Sequence, residues 1–202
     1  MKTRENIWND KNLIKTLSEN GVVVMPTDTI YGIVGKALEK NTVERIYKIK
    51  ERSPKKLCII LIGDINELEK FSIVLSEKQK KELEKYWPTC NVFSIANAGR
   101  PGPVSIILDC PDDKFKYLHR GTKTLAFRLP ASPTLRDLLL EVGSLIAPSA
   151  NPEARLPAKN IKEAKKYFGD SVDLYIDGGT ILNKHSKLIK LNNDGSVIVL
   201  RE

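Results

Sequence analysis

The chain predicts an α/β fold: a single domain with a twisted, mixed β-sheet flanked by helices. Three observations carry that expectation. Short runs of β-branched and apolar residues alternate with amphipathic helical stretches through most of the 202 residues, as in strand–helix units packed in layers. Near the end the pattern changes to a hairpin signal, Asn192-Asn193-Asp194-Gly195, between two strand-like runs, so antiparallel pairs join the sheet. No internal repeat, low-complexity tract or linker rich in Gly, Ser and Pro divides the chain, and its length suits one large domain.

Taken in order, Asn9 or Asp10 caps a first helix whose Leu13, Ile14 and Leu17 share a face, and Gly21 is placed to end it. Residues 22–25, VVVM, suit a buried strand, which Pro26 ends by removing a ladder donor. Thr27, Asp28, Thr29 and Tyr31 then cluster just past a strand end, with Gly32 and Gly35 giving backbone freedom. Strand ends are where open α/β sheets hold ligands. Asn41 with Glu44 has the spacing of a capping box and opens a helix with Val43, Ile46 and Tyr47 inward. That helix runs out at 50–52, and Ser53-Pro54 stops it. Residues 57–62, LCIILI, read as a fully buried strand.

Ser76 and Gln79 form the next capping box, heading a basic helix that reaches Tyr86. Strands are expected at 104–108 and 124–129, and Ser132-Pro133 is an N-cap and N1 pair for a helix carrying Leu135, Leu138 and Leu139. A short strand at 145–147 ends at Pro148, which puts Ser149-Ala150-Asn151 in a second strand-end loop. Asn160 with Glu163 begins the last helix, and strands at 172–176, 187–191 and 196–200 complete the chain.

Composition excludes several classes. Hydrophobic residues make up 41% and charged residues 29%, an ordinary globular balance. No apolar run approaches the length of a membrane span, and the N-terminal stretch MKTRENIWNDKNL lacks the apolar region of a secretion signal, so a cytoplasmic protein without a membrane partner is expected. Cys58, Cys90 and Cys110 are odd in number and irregularly spaced, against both a disulfide framework and a zinc site. Only His119 and His185 are present, little material for a histidine-based metal or acid/base centre, so electrostatic chemistry is expected. The net charge of +8, from 33 basic and 25 acidic residues, attracts polyanions. A nucleotide, a tRNA or plain solubility would each account for it. The lysines at 78, 80, 81 and 85, and at 162, 165 and 166, read as solvated helix faces.

Three strings carry candidate chemistry. The first is PTDTIYG from Pro26, the second Lys50-Glu51-Arg52 with Lys56 close behind, the third Ser149-Ala150-Asn151. Arginine engages phosphate or carboxylate through two donors and lysine supplies a compact charge. A serine hydroxyl and an asparagine amide suit phosphate or sugar oxygens. Each string alone reads as a turn or a basic helix end. Together, in this order and roughly this spacing, they resemble the YrdC/TsaC family of threonylcarbamoyl-adenylate synthases over nearly the whole chain.

The resemblance implies a YrdC/RibB-like fold and a site divided between two substrates. Lys50, Arg52, Ser149 and Asn151 would be the catalytic, ATP-holding set, with Lys56, Thr124 and Arg201 also on the ATP side. Thr27, Thr29, Tyr31, Arg128 and Ser186 would form the threonine side, with Arg128 pairing with the carboxylate. The implied reaction joins L-threonine, bicarbonate or carbon dioxide, and ATP into threonylcarbamoyl-AMP and pyrophosphate, with Mg2+ accompanying ATP and no bound prosthetic group. Its product is the donor for threonylcarbamoyladenosine in tRNA, so tRNA threonylcarbamoyl-transfer proteins are implied downstream, and the basic surplus leaves contact with tRNA or double-stranded RNA open. The alternative is a YciO-like member that binds RNA or nucleotide and makes little product. A carbamoyl-transfer domain of a hydrogenase-maturation protein is disfavoured for want of partner domains.

The chain departs from the family pattern in places. Trp87-Pro88 and Gly102-Pro103, usually run together, are separated by residues 89–101, TCNVFSIANAGRP, which read as a surface-loop insertion. Lys187 stands where a threonine commonly follows Ser186, and Leu57-Cys58 replaces Pro-Leu. The additional C-terminal domain of longer relatives is expected to be absent.

Overall fold

The computed structural model describes residues 7–87 and 103–202. The insertion expected at 89–101, and Cys90 within it, lie outside the described residues. The first helix, α1 (Lys11–Ser18), is capped by Asp10, whose side chain accepts from the Asn12 and Leu13 amides. It ends in a Schellman turn. The Gly21 amide bonds the Thr16 carbonyl, the Asn20 amide bonds that of Leu17, and Asn20 takes the left-handed conformation with φ 65°. The expected terminator, Gly21, therefore sits one position beyond the residue that turns the chain.

The string after Pro26 is a hairpin rather than an open loop. Strands β1 (Val23–Pro26) and β2 (Tyr31–Lys36) pair antiparallel with Pro26 opposite Tyr31. Gly32 and Gly35 had hidden β2, because glycine is a weak strand former. Neither has positive φ, so the freedom expected of them is not what the fold uses. A Cβ on Gly35 would stand 2.4 Å from Thr42 Cγ2 and 3.1 Å from Ile46 Cδ1, which means helix α2 (Lys40–Ile49) rests directly on the strand backbone.

Helix α2 begins at Lys40 without a side-chain cap. The Asn41–Glu44 box does not form, since Glu44 turns outward to Arg120 at 3.0 Å. The helix ends where Glu51 adopts φ 50°, ahead of Ser53-Pro54. After β3 (Ile59–Leu61), shorter than the run 57–62, comes an unanticipated 3-10 stretch, Ile65–Phe71. Helix α3 (Glu77–Leu83) carries the expected capping box of Ser76 and Gln79. Strand β4 (Val104–Asp109) leads to a short helix missed in the sequence, α4 (Lys116–His119). Then come β5 (Thr124–Arg128), α5 (Pro133–Val142) capped by Ser132, β6 (Leu145–Ile146) and α6 (Ile161–Phe168) capped by Asn160. Strands β7 (Leu174–Tyr175), β8 (Lys187–Leu191) and β9 (Val197–Arg201) complete the set.

Among the described residues the strands form one mixed sheet in the order β7-β1-β2-β6-β3-β5-β4-β8-β9. Its two faces are covered unequally. On one face, Val24, Ile33, Ile146, Ile60, Phe127, Ile106 and Ile189 form a continuous apolar layer from β1 to β8. Val43 and Ile46 of α2, Leu83 of α3, Leu118 of α4 and Phe168 of α6 pack against it. On the other face, Leu13 and Leu17 of α1 and Leu135, Leu138 and Leu139 of α5 cover Val23, Met25, Val34, Leu145 and Leu61. That second layer stops at β3. Alternation brings Ile59, Ala126 and Ile107 to this face in cross-strand register, beyond the reach of α1 and α5.

The contact of α2 with Gly35 yields a test. Gly35→Ala should lower stability by about 1–3 kcal/mol, read as a shift of the urea midpoint, because the methyl group must displace Thr42 and Ile46. An unchanged midpoint would mean that helix and strand are not in contact there.

Candidate active site

A cavity of about 260 Å³ opens beyond β3, on the part of that second face which the described helices leave uncovered. Its floor is apolar, formed by Ile59, Ala126, Ile107 and Leu188 from four neighbouring strands. Its rim is polar. Thr27 and Thr29 come from the β1–β2 turn, Arg52 from the segment after α2, and Arg128 from the end of β5. Ser149 follows β6, His185 and Ser186 precede β8, and Arg201 ends β9. Among the described residues, three guanidinium groups and no carboxylate line the space, so the cavity is strongly cationic and suits an anionic ligand.

The β1–β2 turn is built around one hydroxyl. Thr27 Oγ1 donates to the Ile30 carbonyl at 2.8 Å, accepts from the Thr29 amide at 3.2 Å, and lies 3.1 Å from Thr29 Oγ1. These bonds hold Thr29 against the cavity. Asp28 was given no ligand role from the sequence, yet it pairs with Arg128 at 2.9 Å, with side chains 6% and 4% exposed. Asp28 Oδ2 and Arg128 Nε are buried without a described partner. A carboxylate between two threonines at a strand end was the available signal. Tyr31 does not line the cavity. Its hydroxyl donates to the Gly179 carbonyl at 2.8 Å and accepts from the Gly178 amide at 2.9 Å, anchoring the segment that follows β7.

The basic string divides by position. Arg52 reaches the cavity, with Nη2 donating to the Leu57 carbonyl at 2.7 Å and its guanidinium 6.0 Å from the centre of the Tyr47 ring. Lys50 lies behind the cavity wall, 1% exposed. Its Nζ donates to the carbonyls of Ser149 and Asn151. Burial first, and then the nearby Arg52 charge, bring Lys50 down to about 7. Lys56 points away to Glu153, whose second oxygen accepts from the Ser53 amide. The Glu153 amide in turn donates to the Lys50 carbonyl at 2.9 Å. Lys50 and Glu153 thus tie the loop after α2 to the loop after β6.

Within that second loop, Asn151 donates its side-chain amide to the carbonyls of Pro152 and Arg155 at 2.9 and 2.7 Å, closing the turn. Ser149 alone of the string lines the cavity. Across it, Ser186 Oγ lies 2.8 Å from the buried Ser105 hydroxyl, and Arg201 donates twice to the Ser186 carbonyl at 3.1 and 2.7 Å. Thr124 stands at the opposite end of β5 from Arg128. It bonds Thr122 Oγ1 at 3.1 Å and borders a separate shallow depression with Asp109 and Lys190. His185, which composition had discounted, lines the cavity itself.

The displaced Lys50 equilibrium sets the sign of a stability test. A lysine protonated up to about 10.5 when unfolded but only to about 7 when folded leaves the native state with fewer protons in between. Stability therefore rises with pH across that window, by about 1 kcal/mol per pH unit for one such group. Lys50→Met should lack this increment, measured as the difference between variant and wild type in urea unfolding at several pH values. Parallel curves would show that Lys50 titrates normally.

Comparison with known proteins agrees with this architecture. A curated protein of Methanocaldococcus jannaschii named putative threonylcarbamoyl-AMP synthase is 31% identical over 94% of this chain and 83% of its own length. The threonylcarbamoyl-AMP synthase of Bacillus subtilis is 29% identical over 91% of this chain and 50% of its own. Among solved structures, a double variant of Sua5 from P. abyssi superposes with a TM-score of 0.78 at 25% identity, covering 98% of this chain and 53% of that one. The chain thus spans about half the length of two of these three relatives. The Sua5/YciO/YrdC family model, described as "Telomere recombination", matches residues 15–202. That match begins within α1 and runs through β9, so every strand of the sheet falls inside it, and the chain belongs to the Sua5/YciO/YrdC family.

Proposed function

We propose that this chain makes L-threonylcarbamoyladenylate from L-threonine, bicarbonate or carbon dioxide, and ATP, releasing pyrophosphate, which makes it a nucleotidyltransferase. The observation that carries the reading is the cavity lined, among the described residues, by three arginines and three hydroxyl-bearing segments and by no carboxylate. The relatives named threonylcarbamoyl-AMP synthase support it. An amino-acid carboxylate, a carbamate and a triphosphate repel one another, and fixed guanidinium groups offset that repulsion without reorganising during reaction.

In this reading Arg128, held by Asp28, receives the threonine carboxylate, and Thr29 and Ser186 offer hydroxyls beside it. Arg52 and Arg201 face the phosphates, and the Ser149 hydroxyl offers a further contact in the same lining. Lys50, Asn151 and Lys56 act from behind by holding the loops that carry Arg52 and Ser149. The carbamate oxygen attacks the α-phosphorus, and the bond to pyrophosphate breaks. Holding both reactants together supplies much of the acceleration, because the carbamate is short-lived in water. Magnesium prefers carboxylate and phosphate oxygens. The cavity lining has none of the former, and the described residues contain no group of three or more His, Cys, Asp and Glu able to hold a metal. In this reading Mg2+ comes with the substrate, bound to ATP, and no step here depends on a protein-held ion. The adenylate would pass to tRNA threonylcarbamoyl-transfer proteins in the cytoplasm. No helix among the described residues is long and apolar enough to cross a membrane.

Pyrophosphate release that requires ATP, threonine and bicarbonate together, with an adenylate of the corresponding mass, is the expected outcome. ATP binding without any adenylate would instead favour the YciO-like reading. Within an active enzyme, Arg52→Ala should lower kcat/KM for ATP by about 10²-fold or more, while Arg128→Lys should act chiefly on KM for threonine. Wild-type kinetics in either variant would remove that residue from the site.

A further inference from the structure

An amino acid enters the cavity as an ammonium ion, which has no lone pair with which to attack carbon dioxide. A proton acceptor must stand beside it. Among the lining side chains the three guanidiniums stay protonated, the threonine and serine hydroxyls are too weakly basic, and most of the others are apolar. Among the described residues His185 is the one group in the lining able to take up a proton near neutrality.

Its surroundings suit that task. His185 precedes Ser186, whose hydroxyl and backbone are fixed by Ser105 and Arg201. No hydrogen bond joins its ring to any described residue. Desolvation against the cavity wall first, then the charges of Arg201 and Arg128, push the imidazole below its usual value, which favours the neutral ring that can accept a proton. The other charged groups around it leave that balance in place. Arg52 lines the same cavity and is a cation, and Lys184 adjoins it in the chain. Asp28 is committed to Arg128 at 2.9 Å, and Lys187 pairs with Glu202 at 3.0 Å.

We propose that His185 is the general base that takes the proton from the substrate ammonium. This rests on the synthase reading above. One N–H bond of the ammonium breaks and its proton moves to an imidazole nitrogen. The freed lone pair forms the C–N bond to carbon dioxide, and a C=O electron pair moves to oxygen. The second N–H proton leaves to water, giving the carbamate whose oxygen attacks ATP. The imidazolium returns its proton to solvent as product departs. Arg128 and Arg201, which keep His185 neutral beforehand, also face the carboxylate charge as it forms.

The test compares kcat/KM for threonine in wild type and His185→Gln from about pH 5.5 to 9, with pyrophosphate and adenylate mass as readouts. Taking the ratio of the two profiles cancels the bicarbonate–carbon dioxide equilibrium. Wild type should show an acid limb below the ordinary imidazole value of about 6.5 and a plateau above it. The variant should lose the plateau, rise about tenfold per pH unit as threonine ionises by itself, and fall about 10²-fold below wild type at pH 7. Added imidazole should restore the plateau in His185→Gly. His185 lies at the surface, and matching circular dichroism melts confirm that the variants fold; should the Gln variant melt early, His185→Asn takes its place. A variant profile of wild-type shape, at any height, overturns the assignment. Absence of adenylate from wild type overturns the synthase reading and this one with it.

Discussion

Helices α1 and α5 cover one face of the sheet only as far as β3, and the character of the site depends on where that cover stops. An apolar sheet face left bare costs free energy in proportion to its area. Here the bare part is small and carries short or branched side chains, Ala126, Ile107, Ile59 and Leu188. It thus serves as a floor on which a ligand's apolar parts can rest, while the strand ends around it supply charge. The opposite face bears a continuous layer from β1 to β8, and that layer backs the thinly covered side.

The electrostatics follow from which cations are neutralised and where. Acidic partners exist for several of them, but they are held outside the cavity. Glu153 takes Lys56 away from the space, and Asp28 holds Arg128 from the buried side. The buried Arg128–Asp28 pair is a costly arrangement, since both charges give up water. Its return is a guanidinium held in one direction, with the other two arginines added around a cavity to which the described residues bring no opposing charge. Such a field binds anions, and it also disfavours a protonated imidazole. One distribution of charge would therefore suit both an anionic ligand and the proposed base.

The two strand-end loops act as one unit. Lys50 spans to the carbonyls of Ser149 and Asn151, and Glu153 returns to Ser53 and Lys56. In this chain the lysine of the Lys-x-Arg string is thus a brace for the Ser-x-Asn string, and Arg52 and Ser149 are the parts of the two strings that reach the cavity. A brace of buried, desolvated groups holds geometry better than exposed ion pairs do.

Local patterns alone determined much of this protein. The caps at Asp10, Ser76, Ser132 and Asn160, the apolar faces of the helices, the hairpin at 192–195 and the three strings are all written within a few neighbouring residues, where propensity and hydrogen-bond chemistry act directly. The hairpin hidden by Gly32 and Gly35 was not legible, because the glycines answer to a helix resting on them and not to their own backbone preference. The same holds for the site. That Lys50 points backward, that Tyr31 anchors Gly178 and Gly179, that Thr124 stands at the far end of its strand, and that Asp28 and His185 belong to the cavity wall are matters of which way a side chain faces once the sheet has assembled. For Asp28, Lys50 and Tyr31 the direction is set by contacts between residues about a hundred or more positions apart, as between Arg128 and Asp28 or Lys50 and Asn151, and only the folded chain brings them within a hydrogen bond's length.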